Sequence, residues 1–172
     1  MEAPQYPIGP MVMEEKPDAK RRAELIAEIG AAPVTLRKAL VGLSEAQLGT
    51  VYKNWTIRQI ANHLADSHVN AYIRMKKVLT EDSPLAVPYD MEAWNALADA
   101  QSGDLDATMS LLEGLHKRWV VLLRSMTEEQ FARTFKRPDG TVMNLARNLC
   151  IYAWHGRHHT GQVLWLRQQH GW

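Results

Sequence analysis

The sequence predicts an all-α fold, a four-helix bundle, and three observations carry the prediction. Four long stretches place apolar residues at helical spacing, start signals of the form Ser/Thr-x-x-Gln recur, and a proline-marked connection of about 21 residues separates the second long stretch from the third.

Taken in chain order, the opening arm to about Pro17 holds Pro4, Pro7, Pro10 and Pro17, and is expected to lie extended along the surface, because proline fixes φ and restrains its predecessor. From Asp18 a first helix runs through Leu25, Ile26, Ile29, Leu36 and Leu40 to Leu43, with Pro33 inside it as a kink or a junction. "LSEAQL" (43–48), "WTIRQI" (55–60) and "MTEEQF" (126–131) each read as a capping box bracketed by apolar residues, Leu43 with Leu48, Trp55 with Ile60, Met126 with Phe131. Thr56 opens a second long helix that ends before Pro84, and Asp104 opens a third through Trp119 to Met126. "FKRPDGTVM" predicts a small hairpin about Asp139-Gly140, the dipeptide that supplies positive φ values. Asn144 caps a fourth long helix, about 145 to 169, and Gly171 ends it. The boxes at 44 and 127 each stand between two long helices, so the chain reads as two loosely similar helical hairpins.

The connection from Ser83 to Gly103 carries Pro84 and Pro88 and a short helix started by Asp90. A second helix of about 25 residues is about 38 Å long, whereas 21 extended residues reach up to about 69 Å, so the connection can cross the whole bundle. This favours parallel second and third helices, in an up-down-down-up order.

Composition bounds the function. At 172 residues the chain is read as one domain, 1–172, and 46% hydrophobic with 23% charged residues describes an ordinary globular protein. A net charge of +1 offers no global attraction for nucleic acid or acidic membranes, and basic residues such as Arg74, Lys76 and Lys77 belong to solvated faces. The single cysteine, Cys150, excludes an internal disulfide and is read as a small buried apolar group. No signal peptide or apolar span is readable, so a cytoplasmic location is expected.

Chemistry concentrates in "YAWHGRHHTGQV" (152–163), which holds His155, His158 and His159. On a wheel of about 100° per residue His155 and His159 lie one turn apart and can reach one ion, while His158 diverges; Asn148, Tyr152 and Gln162 share their side. His63 in "IANHLADSH" is the best third ligand: if helices two and four run antiparallel, it falls at about the depth of the pair. His68, about 140° further around, is expected at the surface or at a subunit contact. His116 reads either as a core histidine with one hydrogen bond or as a residue beside the pocket.

"WTIRQIANHLADSHVNAYIR", "LHKRWVVLLRSMTEEQF" and "YAWHGRHHTGQV", with "YPIG" near the start and "GW" at the end, resemble the YfiT branch of the DinB-like metalloenzyme superfamily across nearly the whole chain. The resemblance implies a four-helix bundle, usually a homodimer, with one divalent metal ion held by three histidines, which here are His63, His155 and His159. The pair also resembles the HExxH helix of zinc proteases, but Gly156 stands where that motif has its glutamate, so its general base is missing.

Three histidines leave a coordination position open, and zinc so held lowers the pKa of water to near 7 or polarises a carbonyl. Metal-dependent hydrolysis of a small molecule is therefore the expected activity, with Asp66 as base or as partner of a ligand and Tyr152 and Gln162 as lesser candidates. The same resemblance allows a metal-dependent thiol transferase of the bacillithiol type, and a non-catalytic dimeric metal-binding module is the third possibility. Zinc is the expected metal, with nickel also suited to imidazole.

Overall fold

The computed structural model describes residues 2–102 and 104–172. Among them, four long helices form a bundle: α1 (Ala19–Leu40), α3 (Ile57–Thr80), α6 (Leu105–Ser125) and α8 (Leu145–His170). One-turn helices α2 (Glu45–Leu48) and α7 (Glu128–Ala132) precede two small hairpins, β1 (Val51–Tyr52) with β2 (Trp55–Thr56) and β3 (Thr134–Lys136) with β4 (Val142–Asn144). Short helices α4 (Met91–Asn95) and α5 (Ala98–Ser102) lie in the crossover; Gly103, the last residue of the expected connection, lies outside the described residues.

Each start signal works as its chemistry dictates. Ser44, Thr56 and Thr127 accept from the backbone N–H three residues on, and the Gln three residues on accepts from the cap's own N–H in return. Asp90, Asp104 and Asn144 cap α4, α6 and α8 through their side-chain oxygens, and Gly171 ends α8 in the left-handed region with φ 70°. The box at Ser44 and that at Thr127 open one-turn helices, each followed by a hairpin whose last residue caps the next long helix. The two halves thus share the order long helix, capped turn, hairpin, long helix.

Two expectations need adjustment. The first helix stops at Leu40, three residues early, because Gly42 takes φ 78°, and Pro33 neither divides it nor ends it. In the second hairpin only Gly140 has positive φ, and Arg137 closes a wider loop by donating to Thr141 and accepting from Gly140. The hairpin β1–β2 was not expected; its turn holds Lys53 at φ 55°.

Contacts fix the directions. α3 runs beside α6 in the same sense, with Asn62 against Thr108, His68 against His116 and Met75 against Trp119. It runs opposite to α8, with His63 near His155 and His159, and Arg74 donating to Tyr152 at 3.2 Å. α1 is antiparallel to α6, where Arg37 meets Glu113, and parallel to α8, where Arg157 meets Glu28 and Arg167 donates to the Ala39 carbonyl. The order is therefore up-down-down-up. The crossover begins by pairing Leu85 and Ala86 with Lys136 and then returns along α3, where Gln59 donates to the Asn95 carbonyl.

The interior is two apolar clusters with a polar layer between them. Ile29, Met75, Trp119 and Leu149 lie in one; Leu36, Ile60, Leu112 and Val163 lie in the other. Between these levels stand His63, His68, His116 and His159, all buried.

The N-terminal arm runs antiparallel along α8. Ile8 and Pro7 cover Gly161, Gly9 accepts from the Trp154 indole at 3.3 Å, and Glu14 accepts from the Cys150 thiol at 3.7 Å. A methyl group at Gly161 would stand 2.7 Å from Ile8 Cγ2. Gly161→Ala should therefore cost about 1–2 kcal/mol, read as a fall in Tm of about 3–6 °C in a thermal melt.

Candidate metal centre

The site is assembled from the α3–α8 face. His63, near the start of α3, brings its Nε2 to 3.3 Å from His155 Nε2, and His155 Nε2 stands 3.1 Å from His159 Nε2. One ligand atom from each of the three lies within 4.8 Å of the others, and no fourth histidine, cysteine or carboxylate joins the group among the described residues. Tetrahedral zinc with Zn–N of about 2.0–2.1 Å needs nitrogens about 3.3–3.4 Å apart, so spacing and donor type both fit.

Burial keeps these imidazoles uncharged. It lowers the pKa of His63 to about 4, and it holds His155 and His159 well below the usual range, helped by the neighbouring imidazoles. Neutral nitrogen is the form that binds a cation. His63 and His159 are buried, whereas His155 is half-buried.

Partners differ around the three. His159 Nδ1 faces Gln162 Oε1 at 2.8 Å, and Gln162 Nε2 donates to His158 Nε2 at 3.1 Å. Gln162 thus orients one ring of the triad, and His158 diverges from it as the wheel predicts, stacking on Trp154 at 4.4 Å between ring centres. Tyr152 sets its ring 5.7 Å from that of His155, and its hydroxyl accepts from Arg74. Asn148 is buried a further turn toward the start of α8. Asp66 is half-buried on α3 and has no hydrogen bond to the triad. Burial, reinforced by Asp99 on α5, raises its pKa to about 6. Cys150 is buried away from the site, and burial raises its pKa.

His68 corrects the sequence reading. Expected at the surface or at a subunit contact, it is 0% exposed, and its Nε2 lies 3.1 Å from His155 Nδ1. The wheel angle from His63 was sound, but α3 packs against both α6 and α8, so its buried arc is wide enough to hold both histidines. His116 is buried with two partners rather than one, His68 Nδ1 at 2.8 Å and the Ile29 carbonyl at 2.6 Å.

Trp55 is the other residue the sequence undervalued. It packs in the cluster that contains Ile60, as the bracketing suggested, but its ring also lies 4.5 Å from that of His63 and 6.2 Å from that of His159. Its indole N–H donates to Glu92 of α4 at 3.1 Å, tying the crossover over the site. Gly156 lies against α1, where an added Cβ would meet Ala32 at 3.0 Å and His68 at 3.7 Å. A glutamate there would enter the packed interior beside His68.

Fold and site together define a helical-bundle protein with a three-imidazole centre between antiparallel helices. The profile of the DinB superfamily matches residues 28–163, and the chain belongs to that superfamily, in its YfiT-like branch. It is 39% identical to "Putative metal-dependent hydrolase YfiT" of Bacillus subtilis over 97% of this chain and 96% of that protein. It is 43% identical to a "Putative metal-dependent hydrolase" of Geobacillus thermodenitrificans over 97% and 96% of the two chains. A solved structure described as "YfiT from Bacillus subtilis is a probable metal-dependent hydrolase with an unusual four-helix bundle topology" superposes with a TM-score of 0.94 at 39% identity, covering 97% of each chain. No described helix is long and apolar enough to cross a membrane.

Proposed function

We propose that this chain is a metal-dependent hydrolase of small molecules in which His63, His155 and His159 hold one divalent ion, zinc first among the candidates. The carrying observation is the convergence of three neutral imidazole nitrogens with no fourth protein ligand among the described residues. When bound, such an ion supplies Lewis acidity and lowers the pKa of water to near 7.

The chain's own residues divide the remaining work. Gln162 holds the His159 ring by its Nδ1, and Trp55 with Glu92 covers the triad on one side. A cavity of about 270 Å³, lined by Arg74, Asn148 and Tyr152 together with apolar residues such as Phe135 and Met143, adjoins His155 through the Tyr152 ring and offers the substrate a berth. A larger cavity of about 550 Å³, lined by Arg37, Arg58 and Asp106 among others, includes neither the histidines nor Tyr152 and has no part in this proposal. Asp66, with its pKa raised to about 6, is ionised at neutral pH and is assigned the role of proton acceptor. Tyr152 and Gln162 act as positioning groups, since the hydroxyl of one and the amide of the other are already engaged.

The test is a screen of esters and amides with protein purified without a histidine tag and loaded with zinc or nickel. Turnover should require the metal, and Asp66→Asn should reduce it by about 100-fold or more while metal content stays unchanged. Turnover that appears only when a small thiol and an electrophile are supplied together would replace hydrolase by transferase at the same centre. An Asp66→Asn protein as active as wild type would remove Asp66 from the mechanism.

A further inference from the structure

Ile29, on α1, lies far from the triad in sequence, yet its carbonyl oxygen is continuous with it through hydrogen bonds. Pro33 sits inside α1, and proline has no N–H, so the Ile29 carbonyl lacks the donor that residue i+4 ordinarily gives. His116 Nδ1 fills that place at 2.6 Å. A carbonyl only accepts, so the His116 proton is on Nδ1, and in a neutral ring its Nε2 is then an acceptor. His68 Nδ1, 2.8 Å away, must donate to it, which leaves His68 Nε2 as an acceptor in turn. His155 Nδ1, at 3.1 Å, must donate to that nitrogen, so the lone pair of His155 is on Nε2, the atom that faces His63 and His159.

We infer that His68 and His116 are positioning residues that transmit the direction of one backbone carbonyl through two imidazoles and fix His155 as the Nδ1–H tautomer, ready to ligate through Nε2. This rests on the metal-centre reading above. The chain of bonds ends on a carbonyl, which takes up no proton, so it orients and strengthens a ligand and does not conduct protons. On the other branch, Gln162 Oε1 accepts from His159 Nδ1, so the His159 lone pair is also on Nε2. Two lone pairs then face each other at 3.1 Å, an arrangement that a cation between them turns from repulsive to attractive.

The experiment has two arms. In the first, long-range 1H–15N correlation spectra of histidine-labelled, metal-free protein should show His155, His68 and His116 each neutral with the proton on Nδ1. A His155 proton on Nε2 overturns the inference, whatever the metal does. In the second, zinc affinity is measured by competition with a chromogenic chelator. His68→Phe keeps the ring volume but removes the acceptor, and should weaken zinc binding by about 10–100-fold. His68→Gln can accept from His155 and donate to His116, and should stay within about fivefold of wild type. Equal affinities for both variants and wild type overturn the inference; should His68→Phe fail to fold, the His68→Gln affinity and the tautomers decide. His63→Ala serves as the control for the centre itself. Zinc binding unchanged in that variant would refute the centre, while the spectra would still judge the bonded chain.

Discussion

The His155→Ala protein should come off a tag-free purification essentially without metal and should fail to take up zinc at concentrations that saturate wild type. Structural zinc sites bind with about 10–16 kcal/mol shared over their ligands, so losing one imidazole costs about 4 kcal/mol, a factor of about 1,000 in affinity. His155 is central to the triad, since its Nε2 stands 3.3 Å from that of His63 and 3.1 Å from that of His159. Its removal leaves those two without the nitrogen that lies between them. His158→Ala is the matching control: His158 lies edge-on to the His159 ring at 5.0 Å and bonds Gln162, but it stacks outward on Trp154 and gives no nitrogen to the triad, so metal content should persist. The measurement is elemental analysis with chelator competition, and a wild-type zinc content in His155→Ala would defeat the ligand assignment.

Acid should unfold the metal-free protein between about pH 6 and pH 4, as its buried histidines take up protons. His63 and His116 have folded-state pKa values lowered to about 4 from 6.5. The unfolded chain therefore binds more protons between pH 6.5 and pH 4, and stability falls as pH falls through that window. Each group removes about 3 kcal/mol by the lower end of it, and total stabilities are only about 5–15 kcal/mol. His68, His155, His158 and His159 are lowered by burial too and act in the same direction. Asp66 opposes them, because its raised pKa favours the folded state as pH falls from about 6, but it is half-exposed to solvent and offsets little. Circular dichroism against pH should show a cooperative loss of helix between pH 6 and 4, moved to lower pH by zinc, which holds the imidazoles neutral. Full helicity at pH 4 without metal would contradict the buried, neutral state of the histidine layer.

The sequence made the helices legible because helix ends are local chemistry. Ser44, Thr56, Thr127, Asp104 and Asn144 cap within three residues of themselves, so neighbours in sequence sufficed. The parallel course of α3 and α6 was favoured by the length and reach of the connection, and the matching depth of His63 and His155 was conditional on antiparallel second and fourth helices. The hairpin β1–β2 was not, since two-residue strands leave no alternation to detect. The role of His68 depends on how many neighbours α3 has, a property of packing that no single-helix wheel contains. One signal did stand in the sequence. A proline inside a helical pattern frees the carbonyl four residues back, and a histidine on the apolar face of another helix is a natural donor to it; Pro33 and His116 are that pair.

The antiparallel meeting of α3 and α8 sets the order of events as the chain acquires its shape. His63 and His155 are 92 positions apart, and closing so long a loop costs entropy that the ion can repay only after the two helices already lie together. Zinc added during refolding should thus leave the folding rate unchanged and slow the unfolding rate instead, making the metal a late clasp rather than a seed.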